Sequence, residues 1–137
     1  MSKKTIVTLA DSNYFPLLLE LIHSIRKFKE SENIDISVLD AGLNTEQKEK
    51  ISTLVDEIKK AEWDIEIPSH KKKKEWLKSQ VSRAFLPKYF PNYEKFLWID
   101  CDAWVNSWSC IENYFKACKN NKLGITQSIG PGYRSLA

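Results

Sequence analysis

Two aspartates carry the sharpest chemical signal in this chain. Asp100 and Asp102 flank Cys101 at the end of the apolar run Phe96-Leu97-Trp98-Ile99. In extended backbone, alternate side chains leave the same face, so the two carboxylates can converge. Like charges that close need a proton or a cation to coexist. A Mn²⁺ or Mg²⁺ ion suits them: such ions take one or two protein carboxylates and complete their shell with water and phosphate oxygens. A solvated carboxylate pair at a strand end satisfies the same spacing, and spacing alone leaves both readings open. Cys101 reads as a small buried filler, because a hard cation favours oxygen donors.

A second polar cluster, Ala10-Asp11-Ser12-Asn13-Tyr14, closes the first apolar run. A strand, a polar turn and a helix start bring free backbone N–H groups to one place, which suits an anionic nucleotide. Asp11 can accept ribose or base hydrogen bonds, and Tyr14 can stack on a base. A capped helix with an aromatic in its first turn fits the same residues. Arg83 stands off the apolar face centred on Val81 and Ala84, on the side of Trp76 and Ser79. A guanidinium there can reach a diphosphate or simply face water. His23 lies opposite the apolar face of its helix, and His70 adjoins a lysine run without an evident partner. Neither a Ser-His-Asp nor a Cys-His constellation is readable, and no glycine-rich phosphate loop is present.

The elements that must position these residues alternate in period. Ile6, Val7 and Leu9 predict a buried strand. Leu18, Leu21, Ile22, Ile25 and Phe28 mark one face of a helix, with Asp11, Ser12 or Asn13 as its cap and Pro16 in its first turn. Ile34, Ile36 and Val38 alternate as a strand does, and Asp40-Ala41-Gly42 turns the chain. Asn44 and Gln47 have capping-box spacing ahead of the stripe Ile51, Leu54, Val55 and Ile58. Trp63, Ile65 and Ile67 predict a third strand, ended by Pro68. Leu77, Val81, Ala84 and Phe85 predict a helix stopped by Pro87. After the strand 96–99, Ser109 and Glu112 predict a cap for the stripe Ile111, Tyr114, Phe115 and Cys118. Leu123 to Thr126 is the last candidate strand, followed by a Gly130-Pro131-Gly132 loop. Repeated strand–helix alternation predicts an α/β domain over residues 1–137, an open, mostly parallel sheet with helices on both faces.

Composition fits that class. Hydrophobic residues make up 42% and charged residues 28%, as in ordinary globular domains. A scattered net charge of +3 does not argue for nucleic acid, and the dense run Lys71 to Lys74 reads as a solvated loop. No apolar stretch is long enough to span a bilayer, and the first residues lack the apolar core of a secretion signal. Three cysteines without a Cys-x-x-Cys pair argue against a disulfide framework or a zinc site, and lead to an expected cytoplasmic setting.

In order, these segments resemble a known family. Residues 6–14 (Ile-Val-Thr-Leu-Ala-Asp-Ser-Asn-Tyr) resemble the opening strand and loop of retaining glycosyltransferases of the glycogenin and lipopolysaccharide galactosyltransferase type, glycosyltransferase family 8. Asp40-Ala41-Gly42-Leu43-Asn44 is similar to its second strand end. Residues 82–87 and 93–105 resemble its arginine helix and Asp-x-Asp segment. The likeness runs from about residue 5 to 127, and order and spacing together are more specific than any one motif. It implies the N-terminal, donor-binding part of a GT-A-like fold, incomplete in this chain. It further implies a UDP-sugar donor, transfer with retention to a glycan, lipid or protein acceptor, and Asp100 and Asp102 as ligands of Mn²⁺ or Mg²⁺. By the same likeness Asp11 and Tyr14 hold the nucleoside, with Thr8 and Ala10 along it, and Arg83 and Asp100 lie at the donor. The family's His-x-x-Gly-x-x-Lys-type motif, which supplies a third metal ligand, has no match here, and no histidine follows Asp102.

Two other classes stay in view. One is a non-catalytic remnant or assembly module of the same fold. The other is a phosphohydrolase of the haloacid dehalogenase type, whose Asp-x-Asp is followed by a threonine where this chain has Trp104, and falls near the N-terminus rather than late.

Overall fold

The first apolar run forms β1 (Lys4–Ala10), with Ile6 and Val7 fully buried. The computed structural model describes residues 3–118 and 122–125. Beyond β1 the chain turns through 11–14 into α1 (Phe15–Arg26), whose buried side chains Leu18, Leu21, Ile22 and Ile25 follow the helical period. Burying each such aliphatic side chain stabilises by roughly 1.5–3 kcal/mol. β2 (Asp35–Asp40) is followed by α2 (Thr45–Ser52), and β3 (Glu57–Lys60) comes next. A broken helical segment carries α3 (Lys78–Ser82) and α4 (Leu86–Tyr89). Then come β4 (Lys95–Trp98) and α5 (Trp108–Ala117).

All strand pairs are parallel, in the order β3-β2-β1-β4. One apolar layer packs α1, α2 and α5 on Ile6, Ile36, Val38 and Leu97. The other packs α4 and the following turn on Val7, Leu9 and Leu39, through Leu86, Tyr89, Phe90 and Tyr93. The expected parallel sheet with helices on both faces is therefore present. Among the described residues no helix is long and apolar enough to cross a membrane.

Several local expectations change. α2 stops at Ser52, and Ile58, read as part of its stripe, belongs to β3. Asp56 explains the switch: its carboxylate accepts from the Ile36 N–H at 2.7 Å and from Arg26 at 3.0 Å, tying the turn to β2. β3 pairs from Ser37↔Glu57 to Asp40↔Lys60, so the third strand lies there and not at Trp63–Ile67, which is loop. The segment before Pro87 is not one helix. It passes from a 3-10 turn (Glu75–Leu77) through α3 to a second (Arg83–Phe85), and Pro87 lies in the first turn of α4 rather than after a helix end. Each change of winding shifts the phase, so its buried positions are Lys78, Ser82 and Leu86, and Ala84 is exposed. Lys78 tolerates burial because it pairs with Glu75 and lies over the Trp63 ring.

The cap of α5 is Ser107, with Ser109 inside the helix. The capping box at Asn44 and Gln47 forms as expected. Residues 122–125 are not strand, and Leu123 and Ile125 are exposed; Thr126 and the Gly130-Pro131-Gly132 loop fall outside the described residues.

Candidate functional site

The strand order defines a crevice. From β1 the chain steps to β2 and β3 on one side, then returns to place β4 on the other side of β1. Open α/β sheets bind ligands beyond the carboxyl ends of their strands at such a reversal. Asp11 follows β1 directly, and Asp100 and Asp102 follow β4, so the topology brings both sequence clusters to this crevice.

The β4 loop is pinned at both ends. The Ile99 N–H donates to the Val7 carbonyl at 3.0 Å, which extends the β1–β4 pairing up to Asp100. The Ala103 N–H donates to the Asp100 carbonyl at 2.9 Å, closing a turn around Cys101 and Asp102. The Val105 N–H donates to Ser24 Oγ at 2.9 Å, and that buried hydroxyl in turn donates to the Leu21 carbonyl. A serine within the apolar face of α1 thus anchors the segment that leaves the site.

Cys101 reports the local charge. It is buried, and its thiol is pushed up to about 11, first by burial and then by the negative charges of Asp102, Asp100 and Asp11. The charge of all three carboxylates is thus felt at this thiol. Their oxygens are differently committed. Asp11 Oδ1 accepts the Asn13 and Tyr14 N–H groups, both at 3.0 Å, which shapes the turn into α1. Asp100 Oδ1 accepts two donors at 2.7 Å, the Arg83 guanidinium and the Trp98 indole N–H. Asp102 is exposed and accepts no hydrogen bond from the described residues. Oxygen-only donors beside a protonated thiol fit a hard divalent cation. Among the described residues, no group of three or more His, Cys, Asp or Glu side chains could hold a metal.

Arg83 reaches the crevice. Its Nε donates to the Ser79 carbonyl at 3.0 Å, and its guanidinium lies 4.9 Å from the Trp98 ring centroid. Tyr14 is 47% exposed at the start of α1 and its ring is accessible. Asp11, Ser12 and Asn13 do not cap α1, since Tyr14 occupies that position without a side-chain bond. Thr8 and Ala10 differ from the other candidates: both are buried within β1, so their side chains have no open path to a ligand. Thr8 Oγ1 has no partner inside this core. His23, His70 and Lys71–Lys74 are exposed, and the four lysine side chains have no partner among the described residues.

Three contributors were missed from sequence. Trp98 was read only as an apolar strand residue, although its spacing of two from Asp100 puts both on one face of the strand. Gly42 adopts φ +132°, a backbone that favours glycine, and a Cβ there would lie 3.8 Å from Asp11 Cβ. Gln47 Nε2 donates to the Ser12 carbonyl at 3.2 Å, joining α2 to the Asp11 turn. An open hollow of about 1850 Å³ follows the outer edge of β4, and Arg83, Asp100 and Asp102 are among its lining.

With its parallel α/β sheet and acidic loops at the reversal point, the chain belongs to glycosyl transferase family 8, whose model matches residues 5–122. Solved structures that share the fold include two of the same protein. One is the galactosyltransferase LgtC in complex with donor and acceptor sugar analogs (20% identity, TM-score 0.57). The other is an active-site mutant of LgtC (20% identity, TM-score 0.56). Each alignment covers 78% of this chain and 41% of the other, so this chain spans about two-fifths of their length. No curated protein matches the chain.

Proposed function

We propose that this chain is the donor-binding part of a retaining glycosyltransferase that takes a UDP-sugar through a divalent cation. The observation that carries this reading is the sheet reversal, which brings the end of β1 with Asp11 and the end of β4 with Asp100 and Asp102 to one crevice. Asp100 and Asp102 would hold Mn²⁺ or Mg²⁺, and the bound ion would offset negative charge on the departing diphosphate. Asp11 would orient the ribose or base, and Tyr14 would offer a ring face. Thr8 and Ala10 would act through packing, by holding the floor of β1. Arg83 carries five N–H donors, of which those facing Ser79 and Asp100 are engaged; the others would serve phosphate oxygens in the forked geometry that guanidinium favours.

Family membership and the fold shared with a galactosyltransferase crystallised with donor and acceptor analogs support the reading. The acceptor, a glycan, lipid or protein, would meet the donor against structure beyond this part of the fold, which spans 41% of those neighbours. Free thiols at Cys101, Cys110 and Cys118 fit a reducing compartment such as the cytoplasm.

Titration of UDP into the chain by calorimetry, with and without Mn²⁺, tests the proposal. Binding that requires the metal and disappears in an Asp100→Ala/Asp102→Ala variant is expected. Absence of binding with Mn²⁺ present, or binding indifferent to the double substitution, overturns it and leaves a non-catalytic module of the same fold.

A further inference from the structure

We infer that Trp98 is a positioning residue of this site, holding Asp100 and Arg83 in a single arrangement. The inference rests on the donor-site reading above and adds a residue to it. Three contacts converge on the indole. Its Nε1–H donates to Asp100 Oδ1 at 2.7 Å. Its ring lies under the Arg83 guanidinium at 4.9 Å. Arg83 donates to the same Oδ1 at 2.7 Å. Aromatic ring, guanidinium and carboxylate thus form a closed triangle.

The arrangement has a physical consequence. Asp100 and Arg83 are both on the surface, with side chains 55% and 39% exposed. An ion pair so exposed is weak and samples many geometries. Trp98 is only partly exposed and sits on β4, paired with Val7 of the central strand. Two χ angles on a paired strand give it little freedom to lose. Bonded to this side chain, the carboxylate has Oδ1 saturated by two donors and Oδ2 left as the oxygen for a cation. The same ring keeps the guanidinium beside that oxygen instead of free in water. Donation to a charged acceptor is stronger than a neutral hydrogen bond, so losing this one N–H has a measurable effect.

The test combines binding with a signal from the indole itself. In Trp98→Phe, a ring remains for Arg83 but the N–H is gone. Mn²⁺-dependent UDP affinity is expected to fall about tenfold, with the melting temperature within about 2 °C of the parent chain. In a ¹⁵N–¹H spectrum the chain's five tryptophans give distinct indole signals. The Trp98 signal, assigned through its through-space contacts to Val7 and its β4 neighbours, is expected to move upfield in Asp100→Ala and to broaden first when Mn²⁺ is added. Unchanged UDP affinity in a folded Trp98→Phe overturns the inference. So does an indole signal that Asp100→Ala leaves in place, which decides the matter even where Trp98→Phe fails to fold. Should the parent chain bind no UDP with Mn²⁺, the donor-site reading fails by that result, while the indole signal still answers for Trp98.

Discussion

Arg83 and Tyr89 make contrasting uses of a charged partner. The Arg83–Asp100 pair is exposed, and such pairs contribute roughly 0–1 kcal/mol to folding. Arg83→Ala is therefore expected to leave the melting temperature nearly unchanged while weakening UDP binding in Mn²⁺ by about tenfold or more. Arg83→Lys is expected to restore little of it, because an ammonium lacks the planar fork. Calorimetry beside thermal melts checks both. Tyr89, in the apolar layer against which Trp98 also packs, is structural. Its hydroxyl donates to Asp64 at 2.6 Å and accepts the Glu62 N–H at 3.0 Å, and Lys88 bridges the same two acids. The Asp64 side chain is 1% exposed. Removing the hydroxyl in Tyr89→Phe is expected to cost about 1–3 kcal/mol in urea unfolding. Burial, then the Asp64 carboxylate, pushes the tyrosine up to about 12. An unfolded tyrosine titrates near 10. The folded state thus binds this proton more tightly, so its stabilisation is whole below about pH 10 and is lost as pH rises toward 12. Urea midpoints of the parent chain should fall across that window more steeply than those of Tyr89→Phe.

Among the elements, those with a strong period were legible and those defined by pairing were not. β1, α1 and β2 follow from Ile6-Val7, from Leu18-Leu21-Ile22-Ile25 and from Ile36-Val38, because one buried face imposes its period on the sequence. β3 reads Glu-Ile-Lys-Lys, at the edge of the sheet, where a strand needs backbone partners more than apolar side chains. Only its parallel partner Ser37–Asp40 reveals it. The Lys78, Ser82 and Leu86 face stayed hidden for another reason: a lysine and a serine are buried there by local bonds to Glu75 and to the Lys78 carbonyl. In the site, the acidic loops were readable as residue types at strand ends, while the indole beneath them required a partner in space. Gly42 belongs at this scale, since the turn from β2 to α2 depends on it. Asp40 Oδ1 accepts the Gly42 and Leu43 N–H groups at 2.8 and 2.6 Å, which demands the backbone found there. The nearest contact of an added Cβ is ordinary at 3.8 Å, so the penalty in Gly42→Ala is conformational. A loss of about 1 kcal/mol is expected in chemical denaturation.

For the whole molecule, β1 is the member on which everything else leans. It pairs with β2 on one side and β4 on the other, and both apolar layers rest on it. Amide hydrogen exchange should be slowest at Ile6 to Leu9, approaching the rate of global unfolding, and faster by at least about tenfold in β3 at the edge. Agreement between the two strands would contradict this ranking. The position of β1 also has a consequence for how the chain is born. The strand leaves the ribosome well before one of its partners: its pairing from Lys4↔Lys95 to Val7↔Trp98 waits for a segment translated about ninety residues later. At ordinary elongation speeds that is a delay of roughly five to twenty seconds. Throughout it, one side of the most buried strand presents unpaired backbone to its surroundings, and a nascent chain in that condition is a natural client for a chaperone.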